Sequence, residues 1–239
     1  MKIDVHFTPL GVSAPELAGR GVVVIDVLRT TTTVITALAN GAKAVVPAAT
    51  SEEAVRLTAN LAKDGFLLAG ERKSLKIDGF ALGNSPREMT PDVVGGKTVF
   101  LATTNGTPAL VAAQGGDPVL VGGAVNFKAL VERARALFVE RGDLVIVCAG
   151  RGREFALEDA YTAGRLVRAL KRGSRQLHLN DAAAAAADLT THYNGWADAL
   201  SGCEAARQLA EVDLSADVAF SGKPDRFSVV PAYADRRIT

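Results

Sequence analysis

Val22-Val23-Val24-Ile25-Asp26-Val27-Leu28 is a short run of β-branched and aliphatic residues with one carboxylate inside it. Such a run reads as a strand buried on both faces of a parallel sheet, with too few residues for a buried helix. Arg29 and four threonines follow. Val34, Ile35, Leu38 and Ala42 then recur at helical spacing, Gly41 can stop that helix, and Ala44 to Pro47 reads as the next strand. This is a βαβ unit, and it dictates layers of helix against a sheet.

The alternation continues. Residues 52–63 read as a helix, Gly65 to Gly70 as a strand, and Gly79 to Pro86 as a loop too punctuated for regular structure. Lys97 to Ala102 is a strand, Thr103-Thr104-Asn105-Gly106-Thr107 a polar loop, Pro108 to Gln114 a helix and Pro118 to Val121 a strand. A shift of 74 residues lays Thr33 on Thr107 and Gly41 on Gly115, a short internal echo. Leu144 to Cys148 is a further strand, leading through Ala149-Gly150-Arg151-Gly152 to a helix over Leu157 to Leu170. The expected fold is therefore layered α/β/α around a largely parallel or mixed sheet, with ligand loops at the carboxyl ends of strands. From Leu177 onward the chain becomes helix-rich: Asp181 to Asp188 encloses six alanines suited to close helix packing, Trp196 to Leu209 is amphipathic, and a Gly/Pro-punctuated tail follows. With 239 residues the chain reads as one unit, or as two subdomains of about 1–95 and 96–239.

Composition narrows the function. Lys plus Arg number 27 against 26 Asp plus Glu, a net charge of +1, which excludes a basic footprint for nucleic acid. No apolar stretch approaches the ~20 residues of a membrane helix. Cys148 and Cys203 are too few for a disulfide framework or a cysteine-based zinc site, and together with an N-terminus lacking a signal-like apolar run they lead to the expectation of a cytoplasmic protein. A small anionic metabolite is the expected partner, and the apolar, helix-rich tail suits a homo-oligomer.

Familiar fingerprints are missing. Gly96-Lys97-Thr98 precedes a strand instead of following one, so it is no P-loop, and Gly150-Arg151-Gly152 leads to Phe155 where a dinucleotide turn needs a small residue. Arg153 is one position too close to Cys148 for the loop of cysteine phosphatases, which makes Cys148 a packed strand end. His6, His178 and His192 are scattered.

What remains are carboxylates beside anion-friendly loops. A charge at Asp26 inside an apolar strand needs a partner, and two readings stand: an ion pair with Arg29, or a site in which Asp26 binds metal or attacks phosphorus. Thr30, Thr31, Thr32 and Thr33 offer hydroxyls at a helix start, where free N–H groups suit an anion. Thr104, Asn105, Gly106 and Thr107 make the same offer. Asp26, Glu71, Glu158 and Asp159 all fall near strand-to-helix loops and could converge on Mg²⁺, which takes one or two carboxylates plus waters and substrate phosphate.

Ile25 to Thr33, Gly70-Glu71-Arg72, Gly79-Phe80 with Gly83-Asn84-Ser85-Pro86, Thr103 to Thr107, Cys148-Ala149-Gly150 and Glu158-Asp159 occur in that order. The set resembles the 2-phosphosulfolactate phosphatase family, clearly over residues 1–170 and weakly beyond. The resemblance implies a Mg²⁺-dependent phosphatase that releases phosphate from 2-phospho-3-sulfolactate in coenzyme M biosynthesis. Within those motifs, the chemistry of the residues assigns Asp26, Arg29, Glu71 and Arg72 to catalysis. Thr30, Thr31, Asn84, Ser85, Thr104, Asn105, Gly106 and Thr107 are assigned to substrate and phosphate, and Asp26, Glu71, Glu158 and Asp159 to the metal. Arg29 is expected on the phosphate and Arg72 on the carboxylate or sulfonate end. The competing readings are a non-catalytic binder of phosphorylated or sulfonated metabolites, and a lyase or isomerase acting on a phosphorylated three-carbon acid.

Overall fold

The computed structural model describes residues 1–62, 64–172 and 177–239. The chain begins β1 (Lys2–His6), α1 (Ala14–Leu17), β2 (Gly21–Ile25), α2 (Thr30–Ala39), β3 (Ala44–Ala48) and α3 (Ser51–Thr58). A hairpin of β4 (Phe66–Arg72) and β5 (Leu75–Lys76) follows, then α4 (Pro91–Val94), β6 (Thr98–Ala102), α5 (Gly106–Ala112), β7 (Val119–Gly122) and α6 (Phe127–Arg141). Next come β8 (Asp143–Cys148), α7 (Leu157–Lys171), β9 (His178–Leu179) and helices α8 (Asp181–Leu189), α9 (Trp196–Ser201), α10 (Glu204–Glu211) and α11 (Ser215–Ser221). The chain ends in a hairpin of β10 (Ala232–Ala234) and β11 (Arg237–Ile238).

All these strands join one sheet, in the order β5-β4-β6-β3-β11-β10-β7-β2-β8-β1-β9. It is the expected α/β/α fold with a largely parallel, mixed sheet. Two parallel blocks make it up: β4, β6 and β3 on one side, β7, β2, β8, β1 and β9 on the other. The terminal hairpin bridges them through three antiparallel pairings, with Tyr233 opposite Val119 and Ile238 opposite Val45. Three reversals leave the two blocks running in opposite senses.

The internal echo has a structural meaning. β2-α2-β3 and β6-α5-β7 interlock: β2 pairs with β7 and β3 with β6, so each unit completes the other's block. Both helices lie inside the concave face, α2 against β3 and β7, α5 against β3 and β2. The first eight residues of α2 are buried although five are threonines, because the hydroxyls of Thr31, Thr32, Thr33 and Thr36 all donate to backbone carbonyls. Val22, Val24, Val45, Val99, Leu101, Val119 and Val121 meet Val34, Ile35, Ala109 and Leu110 in one cluster. The outer face of the larger block packs on α6, α7 and α8, that of the smaller on α3.

The sheet has to curl around this helix pair. β6 and β2 are five strand steps apart, about 24 Å in a flat sheet, yet Thr30 and Thr103, just past their carboxyl ends, are hydrogen-bonded at 3.2 Å. Accumulated twist of about 20–25° per step brings the ends of oppositely directed strands together.

Several elements differ from the sequence expectation. β1 and the terminal hairpin are too short for a clear periodic signal, whereas α6, with Leu130, Ala134, Leu137 and Phe138 at helical spacing, is an element that the expectation above omits. The expected helix over 52–63 runs Ser51–Thr58, and position 63 lies outside the described residues. The amphipathic stretch from Trp196 is broken at Gly202, after which the Cys203 sulfur caps α10 by accepting from the Ala206 N–H at 3.4 Å. The alanine run does serve close packing, because a Cβ at Gly164 of α7 would overlap the Ala186 carbonyl of α8.

Ile238 is fully buried in the cluster shared by both blocks. Ile238→Ala should cost about 3 kcal/mol in urea unfolding, and a loss below about 1 kcal/mol would show that the hairpin does little to join them.

Candidate active site

The loops after β2, β4, β6 and β8 and the start of α10 enclose a cavity of about 780 Å³. Asp26, Arg29, Thr30, Glu71, Arg72, Asn84, Thr104, Asn105, Glu158 and Asp159 of the expected set line it. Thr31, Ser85, Gly106 and Thr107 of the expected set do not line it.

Hydrogen bonding explains the division. Thr31 Oγ1 donates to the Asp26 carbonyl at 2.7 Å, Thr32 Oγ1 to the Val27 carbonyl at 2.9 Å and Thr33 Oγ1 to the Asn84 carbonyl at 2.9 Å. These hydroxyls tie α2 to its flanking loops and are spent on the protein. Thr107 closes the β6–α5 turn in the same way, donating to the Thr103 carbonyl at 3.0 Å. Gly106 serves by what it lacks: a Cβ there would overlap the Asp26 carboxylate and Thr30, so only glycine lets α5 come this near.

Asp26 is buried at the tip of β2, where its Oδ1 accepts the Thr30 N–H at 3.1 Å. Burial pushes its carboxyl up to about 6, against the stabilising hydrogen bond from Thr30, and the neighbouring charges of Glu158 and Glu71 push the same way. Arg29 is not its counter-ion. Its guanidinium pairs with Asp217 of α11 at 2.8 Å, both groups buried, and donates to the Ser74 carbonyl at 2.8 Å. Asp217 also accepts from Ser85 Oγ at 2.7 Å, which is why Ser85 faces away from the cavity.

The remaining acids divide by how their oxygens are used. Glu71 accepts the N–H groups of Thr104 at 2.7 Å and Ser74 at 2.9 Å, clamping the β4–β5 turn to the β6 loop. Asp159 accepts those of Val27 at 2.8 Å and Gly150 at 3.2 Å, locking the tips of β2 and β8 together. Burial, then the charges of Asp26 and Glu158, hold the Asp159 carboxyl well above the usual carboxylate range. Burial also raises Glu158, which is hydrogen-bonded by the Cys203 thiol. Cys148 is fully buried in the strand core, and burial drives its thiol well above the ordinary value, the opposite of what a nucleophilic thiolate needs.

Sequence reasoning missed the C-terminal contribution. Asp217, Cys203, Glu204 and Arg207 come from α10 and α11, and Arg151 and Lys73 join the cavity wall. Lys73 and Ser74 form a two-residue hairpin turn with φ of 51° and 68°, which aims the Ser74 carbonyl at Arg29. No local motif marks these positions. Among the described residues, no three His, Cys, Asp or Glu side chains are set to hold a metal ion by themselves.

A sequence profile of the 2-phosphosulpholactate phosphatase family matches residues 7–236. The chain belongs to this family. A relative in Caldanaerobacter subterraneus subsp. tengcongensis is 39% identical over 232 residues, 97% of this chain and 95% of the relative. Relatives in Clostridium acetobutylicum, 35% identical over 100% of both chains, and Symbiobacterium thermophilum, 38% identical over 94% of this chain and 96% of the relative, are similar to the same extent. All three bear the name "Probable 2-phosphosulfolactate phosphatase". The match runs through α10, α11 and into the terminal hairpin, so the phosphatase family covers the elements that sequence motifs left unassigned. No helix among the described residues is long and apolar enough to cross a membrane.

The raised carboxyl of Asp26 has a consequence for folding. Between its unfolded value near 3.8 and about 6 the native state binds more protons than the unfolded one, so stability falls as pH rises through that window. Asp26→Asn removes the penalty. Measured in EDTA, the variant should gain up to about 3 kcal/mol over wild type at pH 8 and little at pH 4, and a variant less stable at pH 8 would show that the charge is compensated in the fold.

Proposed function

We propose that the chain hydrolyses 2-phospho-3-sulfolactate, or a related phosphorylated 2-hydroxy acid, to the free hydroxy acid and phosphate. The observation that carries this reading is a buried carboxylate, Asp26, lining a cavity walled by guanidinium groups in a chain that matches a phosphatase family over residues 7–236. Hydrolysis of a phosphomonoester needs the dianion held, its developing charge neutralised and an oxygen aimed in line with the leaving group. Arg29, fixed on two sides by Asp217 and the Ser74 carbonyl, has three N–H groups left for phosphate oxygens. Arg72 is exposed at the end of β4 and reaches the cavity from another loop, the position suited to the carboxylate or sulfonate end.

The donor set fits Mg²⁺. Asp26 commits one oxygen, Oδ1, to a backbone N–H and Glu158 is held by its own N–H and the Cys203 thiol, their mutual repulsion is what a cation would relieve, and Mg²⁺ asks for no more than two carboxylates with waters and a phosphate oxygen. In this reading Asp26 and Glu158 hold the ion, whereas Glu71 and Asp159, with both oxygens on backbone amides, fix the loops around it. When bound, the ion supplies Lewis-acid neutralisation of phosphate charge and activation of water. Leu28 stands where aspartyl phosphatases carry a second aspartate, which favours Asp26 as ligand over Asp26 as nucleophile. The coenzyme M pathway and a cytoplasmic setting belong to the same reading, and two free, buried cysteines suit the latter.

Phosphate release should fall to background in EDTA and return with Mg²⁺, and Asp26→Asn should lower kcat at least about 100-fold while the chain stays folded. A near-wild-type rate in either case would reassign the site. 2-Phospho-3-sulfolactate should exceed phospholactate in kcat/KM by about tenfold or more, and Arg72→Met should narrow that gap. Equal values in wild type would remove sulfonate recognition from the reading.

A further inference from the structure

The loop between β8 and α7 is held by its own backbone. The Gly150 N–H donates to Asp159 Oδ2 at 3.2 Å and the Gly152 N–H to Asn105 Oδ1 at 3.1 Å, while Arg151 and Glu154 exchange both main-chain hydrogen bonds, at 2.9 and 2.8 Å. A Cβ at Gly150, whose φ is +63°, would overlap the Glu154 carbonyl, so the loop is closed as tightly as glycine allows. It is a stiff platform, and Arg151 on it lines the cavity.

The guanidinium groups around the cavity are used unequally. Arg29 is taken by Asp217 and the Ser74 carbonyl, Arg72 donates to the Glu71 carbonyl at 3.1 Å and Arg207 to the Gly202 carbonyl at 3.1 Å. Arg151 differs. Among the described residues its guanidinium makes no hydrogen bond, and its ion pair with Glu204 is long, 3.8 Å, with 68% of the Glu204 side chain exposed. A pair of that kind holds its partners weakly. Only Nη1, the atom on the Glu204 side, is enclosed; Nε and Nη2 are neither enclosed nor bonded within the described protein. The side chain is 24% exposed, so a partly desolvated guanidinium on a fixed loop keeps a planar pair of donors free, the arrangement that fits a carboxylate with two oxygens.

2-Phospho-3-sulfolactate carries three anionic groups. Arg29 suits the phosphate and Arg72 one of the other two, which leaves one anion without a cation. The carboxylate is bonded to the carbon that bears the phosphate, whereas the sulfonate is one carbon farther out. Arg151 stands close enough to Glu158 for its charge to favour that carboxylate, and Arg72 is exposed at the end of β4 on another loop. The cation beside the acidic centre therefore goes with the anion nearer the phosphate. Resting on the phosphatase reading, we propose that Arg151 is a specificity-determining residue that binds the substrate carboxylate through Nε and Nη2, leaving Arg72 to the sulfonate.

The test compares Arg151→Met with wild type on three substrates: 2-phospho-3-sulfolactate, phospholactate, which lacks the sulfonate, and phosphorylated isethionate, which lacks the carboxylate. Values of kcat/KM for the first two should fall alike, about 10- to 50-fold, mainly through KM, and for the third by less than about threefold. Calorimetric binding of sulfolactate should weaken by about the same factor as the first two, with Tm close to wild type. A loss on both sulfonates that is absent with phospholactate would give Arg151 to the sulfonate, and equal losses on all three, or none, would make it a general electrostatic or structural group; each overturns the proposal. A wild-type chain that releases no phosphate overturns the phosphatase reading itself, whereas sulfolactate bound as tightly by Arg151→Met as by wild type overturns only the role of Arg151.

Discussion

The contact between the first residues of α2 and α5 is the constraint on which the rest of the molecule depends. Two helices starting in different loops meet at Asp26, Thr30 and Gly106, closely enough that one added methyl group would displace a carboxylate. That approach draws two oppositely directed parallel blocks into one curled sheet and sets four strand ends around a common space. Were the helices farther apart, Thr30 and Thr103 could not share a hydrogen bond, and the loops after β2 and β6 would face separate stretches of solvent.

Buried charge is the second organising theme, and the chain treats its two signs differently. Arg29 is neutralised inside the fold by Asp217, a pairing that immobilises the guanidinium and ties α11 to the cavity. Asp26 has only the N–H and hydroxyl of Thr30, Glu158 its own N–H, the Cys203 thiol and the charge of Arg151, and Asp159 two backbone N–H groups. Desolvated carboxylates without a counter-ion are costly. Loop positioning falls to the acids whose oxygens are fully used, Glu71 and Asp159, so acidic residues divide between structure and chemistry within a few ångströms of backbone.

The alternating strands and helices, the loops at strand ends and the family itself were legible in the sequence, because apolar periodicity and ordered short motifs are local properties. Asp26, Glu71, Glu158 and Asp159 were found together because a carboxylate within or beside an apolar strand is conspicuous wherever the chain then goes. The threonines show the limit of that reasoning. A hydroxyl at a helix start serves an anion or a carbonyl equally well, and the sequence cannot say which stands nearer. Thr31 and Thr107 turned inward onto carbonyls of their own strand-to-helix turns, those of Asp26 and Thr103.

By itself, then, the sequence determined the βαβ alternation, the parallel core and the acidic, loop-borne character of the site, all set by neighbours within a few residues. Only the tertiary structure decided that β2 pairs with β7 and not with β3, that the last eight residues bridge the two blocks, and that Arg29 belongs to Asp217, 188 positions away. Those outcomes depend on long-range packing of near-equivalent β-branched strands and on which of several carboxylates a buried guanidinium can reach. Neither is encoded in a local pattern.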